Sequence, residues 1–154
     1  MRLSKIFYDL IYYLKAKYLV IKGASVGRNV KIYGKIIVKY PKNLIIGDNT
    51  TINDGTLINC KGGVIIGNNC RISSGSQIHS TGLETDKFPR NHYSSKIIIE
   101  DNVWIGSLCV ITKGVTIRYK TTVSALSLVN KDLEPLSIYG GIPAKKIKQI
   151  EIKH

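Results

Sequence analysis

The sequence predicts an all-β protein, a parallel β-helix of stacked coils with an amphipathic helix closing its N-terminal end. Three observations carry that reading. An aliphatic residue recurs every six positions, a Gly-x-Asn corner recurs beside it, and only the first residues follow a helical period.

In chain order, the helix comes first. Residues 3–21 set Leu3, Ile6, Phe7, Leu10, Ile11, Leu14, Tyr18 and Ile21 at helical spacing, with Lys5, Asp9 and Lys22 largely off that stripe. The stripe is expected to cover the first coil. The same pattern fits a basic amphipathic helix resting on an anionic membrane, and both roles can hold together. Asp9, Lys15 and Lys17 break the apolar run, against a secretion signal, and no stretch reaches the ~18 apolar residues that spanning a bilayer requires.

The coil follows over 25–134. VGRN at 26–29, IGDN at 46–49 and IGNN at 66–69 repeat at an offset of twenty residues. Within each offset the aliphatics step by six: Val26, Ile32, Val38; Ile46, Ile52, Ile58; Ile66, Ile72, Ile78. The rhythm resumes at Ile99, Ile105, Ile111, Ile117, Val123 and Val129. Three hexads make one triangular turn, with the aliphatics stacked in interior columns. Four residues after each aliphatic stand small or β-branched groups suited to the interior: Val30, Ile36, Thr50, Thr56, Cys70, Ser76, Val103, Cys109, Val115, Thr121 and Ser127. Gly27, Gly47, Gly67 and Gly106, with Asn29, Asn49, Asn69 and Asn102, read as corners that demand positive φ. Between Ile78 and Ile99 the period fails, so 80–97 is expected to leave the coil as a polar loop. Residues 135–154 read as a C-terminal cap, and 1–24 as the helical one.

Composition bounds the rest. A chain of 154 residues, 44% hydrophobic and 21% charged, is one folded domain. Its net charge of +13 favours a polyanionic partner. Cys60, Cys70 and Cys109 are odd in number and lack CxxC spacing, which signals neither disulfides nor zinc and suits a reducing cytoplasm. No nucleic-acid-binding motif accompanies the charge, so nucleic acid is not the expected partner.

Residues 97–148 carry a resemblance. DNVWIG, GVTI, a small-Ala-x-Ser-x-Val run, Lys-Asp before a Pro turn and Gly-x-Pro-Ala-Lys appear in the order found in hexapeptide-repeat acyltransferases, the group of galactoside, maltose, colanic-acid and serine acetyltransferases. With the upstream coils the resemblance spans about 26–150. It implies a left-handed coil, a homotrimer with sites between subunits, and acetyl-CoA as co-substrate with no metal. It further implies O-acetylation of a carbohydrate in surface polysaccharide or lipopolysaccharide synthesis. Serine O-acetylation, N-acetylation of a nucleotide-linked amino sugar, and an inactive CoA-binding or scaffolding homologue are the alternatives. A gamma-type carbonic anhydrase shares the coil but needs three converging histidines, and the spacing of His79, His92 and His154 does not supply them.

Acyl transfer to a hydroxyl needs a base, and histidine is the natural one. In the galactoside and colanic-acid branches the catalytic histidine stands five or six residues after the column aliphatic, where this chain has Leu83 and Glu84. The base is then His79 at the loop's mouth or His92 near its end, with the polar flank of Arg90, Asn91 and Tyr93 favouring His92. His154, terminal, is set aside. Glu84 is read as a contact to the substrate or as an orienter of the imidazole. Carried over by position, Trp104 lines the acceptor cleft, Ser107 and Ala125 the pantetheine groove, and Asn130, Lys131, Lys145, Lys146 and Lys148 the CoA phosphates. Asn53 and Asn59 face the acceptor.

Overall fold

The computed structural model describes residues 2–152, and the side chains of 2–6 and 9 lie outside that description. His154 and the expected stripe contributions of Leu3 and Ile6 therefore fall outside the described residues. Helix α1 (Arg2–Ile21) leads into a left-handed parallel β-helix of triangular cross-section. One face stacks Ser25–Val26, Leu44–Ile46, Val64–Ile66, Ile97–Ile99 and Thr116–Ile117. The second stacks Lys31–Ile32, Thr51–Ile52, Arg71–Ile72, Trp104–Ile105 and Thr122–Val123. The third stacks Ile37–Lys39, Leu57–Asn59, Gln77–His79, Val110–Thr112 and Leu128–Val129. Ser137–Gly140 adds a further strand to the second face, and Lys145–Gln149 folds back antiparallel on it.

The hexad columns meet in register. Val26 pairs with Ile46, Ile46 with Ile66, Ile66 with Ile99 and Ile99 with Ile117, and the other faces repeat the pattern. Most of these aliphatics are fully buried, as are Thr50, Thr56, Cys70, Ser76, Val103 and Cys109 at the fourth position after them. The buried hydroxyls bond to main-chain carbonyls, Thr50 Oγ1 to Gly67 O at 2.7 Å and Ser76 Oγ to Gly106 O at 2.9 Å, which makes them tolerable inside. Burial pushes the thiols of Cys60 and Cys70 up to about 12 and about 11.

The corners divide their labour in a way the sequence did not separate. Asn29, Asn49, Asn69 and Asn102 do adopt left-handed φ, 54–59°. Gly27, Gly47, Gly67 and Gly106 do not; they are glycine because the next turn passes too close. A Cβ on Gly47 would stand 2.6 Å from the carbonyl carbon of Gly67, and one on Gly106 would stand 2.5 Å from Ala125 N. The residue after the glycine completes the corner. Asp48 Oδ1 accepts from Arg28 N (2.8 Å), Asn68 Oδ1 from Asp48 N (2.8 Å) and Asp101 Oδ1 from Asn68 N (2.7 Å), a side-chain ladder up one edge.

Helix α1 lies against the first two strands of the coil. Leu19 is its buried anchor at 5% exposure, the Tyr12 ring lies on Tyr33 at 4.6 Å, and Lys15 Nζ donates to Gly34 O at 2.5 Å. The expected contact stripe points outward, with Phe7 61% and Ile21 79% exposed. Tyr12 and Lys15 make the contact because a ring and a long alkyl stem reach the open coil, and the Lys15 ammonium finds a carbonyl there.

Truncating a column residue should cost far more than truncating its outward neighbour. Ile72→Ala is expected to lower unfolding free energy by about 2–5 kcal/mol, and Arg71→Ala by no more than about 0.5 kcal/mol, as read by chemical denaturation.

Candidate active site

The third turn opens at its last corner. Gln77–His79 ends there, and buried Ser80 anchors the departure: Ser80 Oγ donates to Asn59 O at 2.7 Å and accepts from Gly62 N at 2.8 Å, while Ser80 O accepts from Ser95 N at 2.9 Å. The expected loop is a β-hairpin, with Thr81–Leu83 antiparallel to His92–Ser94. Its strands escape sequence reading because each has three residues and no buried face. The coil resumes with Ile97 on Val64 and Ile111 on Ile78, so the insertion leaves the ladder in register.

His79 stands at the hairpin root on the third face. Asn59 and Thr112 are its register partners on the adjoining turns, and a ring nitrogen lies 2.9 Å from Gln77 Oε1. Asn59 Nδ2 reaches Thr81 Oγ1 at 3.4 Å. Partial burial, reinforced by Lys39, holds the imidazole below its ordinary value of 6.5, so it is neutral at pH 7. A neutral ring beside fixed amides and hydroxyls is equipped to accept a proton. Gln77 shares the strand and its outer face with His79, Thr81 enters through Asn59, and Thr112 joins by turn-to-turn register, which spacing alone does not reveal.

His92 lies on the exposed stem of the hairpin. Its register partner is Leu83, so the two side chains share one face. The polar flank serves the hairpin itself. Arg90 lies over Phe88 at 4.7 Å, Asn91 Nδ2 reaches Glu84 Oε2 at 3.4 Å, and Lys113 Nζ sits 4.6 Å from the Tyr93 ring. Glu84 also pairs with Lys87 at 3.2 Å and is thus engaged at the hairpin tip. Lys113 straps the stem to the coil, its chain lying where a Cβ on Gly82 would be.

The remaining candidates divide. Trp104 projects from the second face, 52% exposed, with Nε1 donating to Ser73 Oγ at 3.1 Å. Ser107 and Ala125 stack on the neighbouring corner, where Leu126 N donates to Ser107 O at 2.9 Å and the backbone of Ala125 lies close against Gly106. Lys145, Lys146 and Lys148 share one exposed strand at the far end of the solenoid. Asn130 and Lys131 follow Leu128–Val129 on the third face and are not on that strand. Asn53 spends its amide on the ladder, donating to Ile72 O at 2.8 Å, and belongs to a corner rather than to the His79 cluster. Among the described residues no group of three or more His, Cys, Asp or Glu converges as a metal site would require.

A family model described as the hexapeptide repeat of succinyl-transferase matches residues 96–125. The chain superimposes on a maltose O-acetyltransferase from Clostridium difficile 630 with a TM-score of 0.86 and 30% identity, over 98% of this chain and 84% of that one. The chain belongs to the hexapeptide-repeat acyltransferase family. A hexapeptide-repeat acetyltransferase from Vibrio cholerae O1 biovar eltor, complexed with acetyl-CoA, matches with a TM-score of 0.81 and 29% identity over 85% of this chain and 74% of that chain. A chloramphenicol acetyltransferase of Klebsiella aerogenes is 46% identical over 52 residues, 34% of this chain. That match spans a quarter of the relative's length. The matched family segment begins just after the hairpin, so family likeness is densest on the Trp104 and Ser107 side of the site.

Because folding lowers the His79 value, its unfavourable effect on stability appears as pH falls below about 6.5 and is absent above it. An NMR titration should find the His79 midpoint below 6.5 and moved upward by Lys39→Gln; a midpoint at or above 6.5 in the native chain contradicts this environment.

Proposed function

We propose that this family member transfers an acetyl group from acetyl-CoA to a hydroxyl of a carbohydrate, in the assembly of a surface polysaccharide or lipopolysaccharide. The observation that carries the reading is the likeness to a maltose O-acetyltransferase over 98% of the chain. The complex of the Vibrio cholerae relative with acetyl-CoA supports the donor.

The chemistry follows from the residues. With Gln77 Oε1 accepting from the ring N–H, the other imidazole nitrogen of His79 carries the lone pair. It takes the acceptor's hydroxyl proton as that oxygen attacks the thioester carbonyl carbon; the C–S bond then breaks and the proton passes to the departing thiolate. The small corner residues Ser107 and Ala125 leave room for a pantetheine arm to lie against the coil. The ammonium groups of Lys145, Lys146 and Lys148 suit CoA phosphates, with Asn130 and Lys131 nearer the third face. Trp104 and Asn59 bound the acceptor side, and Asn53 sits further off. In the homotrimer proposed with this reading, the hairpin of one subunit and Trp104 or Lys131 of another complete each site.

A second reading assigns the base to His92, on the specific ground that it lies opposite Leu83, where the galactoside and colanic-acid branches carry their histidine. Steady-state assays of thiol release with acetyl-CoA and a sugar panel separate the two. His79→Ala should lower kcat by about 10²–10⁴-fold and His92→Ala by only a few-fold; the reverse pattern moves the base to His92. Acetyl-CoA binding without turnover on any acceptor points to an inactive homologue, and no binding overturns the proposal.

The Lys145→Ala/Lys146→Ala variant should raise the KM for acetyl-CoA while kcat holds, and the effect should shrink at high salt. Sedimentation should give three times the 17.1 kDa chain mass; a monomer contradicts shared sites.

A further inference from the structure

The N-terminal end of the solenoid carries an apolar, basic surface for which the proposed chemistry has no use. Helix α1 spends one edge on the coil, through Tyr12, Lys15 and Leu19, and turns Phe7, Leu10, Leu14, Tyr18 and Ile21 outward at intervals of three and four residues. Such a stripe runs along one side of the helix from Phe7 to Ile21, and an exposed patch of this kind marks a docking surface. The charge along the helix is mostly positive. Lys17 and Lys22 lie against the rings of Tyr13 and Tyr18, at 5.3 and 5.4 Å, and the helix has Arg2, Lys5, Lys15 and Lys17 against Asp9 as its single acid.

Between α1 and the first coil runs a groove of about 860 Å³. Leu19, Ile36 and Val38 are among its apolar lining, the exposed Leu14 and Tyr18 border it on the helix side, Lys15, Lys22 and Lys35 stand among its lining residues, and no carboxylate of the described residues lines it. An apolar channel with ammonium groups at its edge suits a hydrocarbon chain that ends in an anionic head. The helix itself is not long and apolar enough to cross a membrane. A helix with an apolar face, aromatic rings and flanking cations instead lies in the plane of the headgroups.

We propose that the outward face of α1, with the groove behind it, docks the protein on an anionic lipid bilayer and takes a lipid chain into the groove. The occupant is fixed by charge complementarity: a neutral bilayer leaves the lysines unmatched, and an acidic protein surface has no chain for the groove.

The test is co-sedimentation of the full chain with vesicles of phosphatidylcholine, alone and with about 30% phosphatidylglycerol. Binding is expected to be at least tenfold tighter to the anionic vesicles and to weaken in high salt. Leu14→Gln/Tyr18→Gln, at exposed positions and checked for an unchanged thermal transition, should reduce it at least tenfold. Lys17→Gln/Lys22→Gln should erase the preference for anionic lipid while leaving the fold intact. Equal binding to both vesicles, no binding, or an unchanged affinity in the stripe variant overturns the proposal. So does a change of oligomer mass in the stripe variant without lipid, because a second copy of the chain would then be the occupant.

Discussion

Everything in this molecule depends on how closely one turn of backbone lies on the next. The glycine after the column aliphatic is the point of closest approach, and a single methyl group there would enter the carbonyl or amide of the following turn. That contact sets the stacking distance, and the distance lets amides of one turn reach carbonyls of the next, as in Gly47 N to Ile66 O at 2.7 Å and Gly67 N to Ile99 O at 2.8 Å. The aliphatic columns then fall into contact as a consequence. Stability is shared between neighbouring turns, and each turn works as a copy of the one before it.

The candidate site exploits this regularity by interrupting it once. The hairpin leaves at Ser80 and returns at Ser95, tied by a main-chain bond, and the ladder above continues as though nothing had been inserted. Rigid coil below and above therefore fixes His79, Asn59 and Thr112 in one column, while the exposed stem carries His92 free of that constraint. Functional groups drawn from a rigid scaffold at the root of a variable loop are a common division of labour in proteins. Here the scaffold contributes the partially buried imidazole, and the loop contributes reach.

How much of this was legible in the sequence follows from the range of each interaction. The columns, the left-handed asparagines and the buried small residues could be read because their signal repeats every six or twenty residues. The reason for the glycines could not, since close approach between turns leaves the same residue type as positive φ does. The orientation of α1 is not legible for a related reason: a hydrophobic stripe states which side avoids water, not whether the first coil or another surface covers it. Tyr12 and Lys15, half apolar and half polar, made the contact instead. The cluster around His79 was half visible. His79 and Asn59 stood out as residues, but only turn-to-turn register brings Thr112 beside them, while Gln77 and Thr81 flank His79 at two residues on either side. Asn53 looked equivalent to Asn59 by type, yet lies one face earlier, where its amide is consumed by the ladder.

All three thiols of the chain are buried in the interior, and for Cys60 and Cys70 burial keeps the sulfur protonated far above neutral pH. Thiolate is the form that attacks a thioester, and a surface cysteine would exchange acyl groups with any thioester held nearby. A protein that handles acyl-CoA gains chemical inertness from this placement. The sulfur that serves as filler in the interior cannot become a parasitic acceptor, and an acyl group delivered to the surface meets only oxygen and nitrogen nucleophiles.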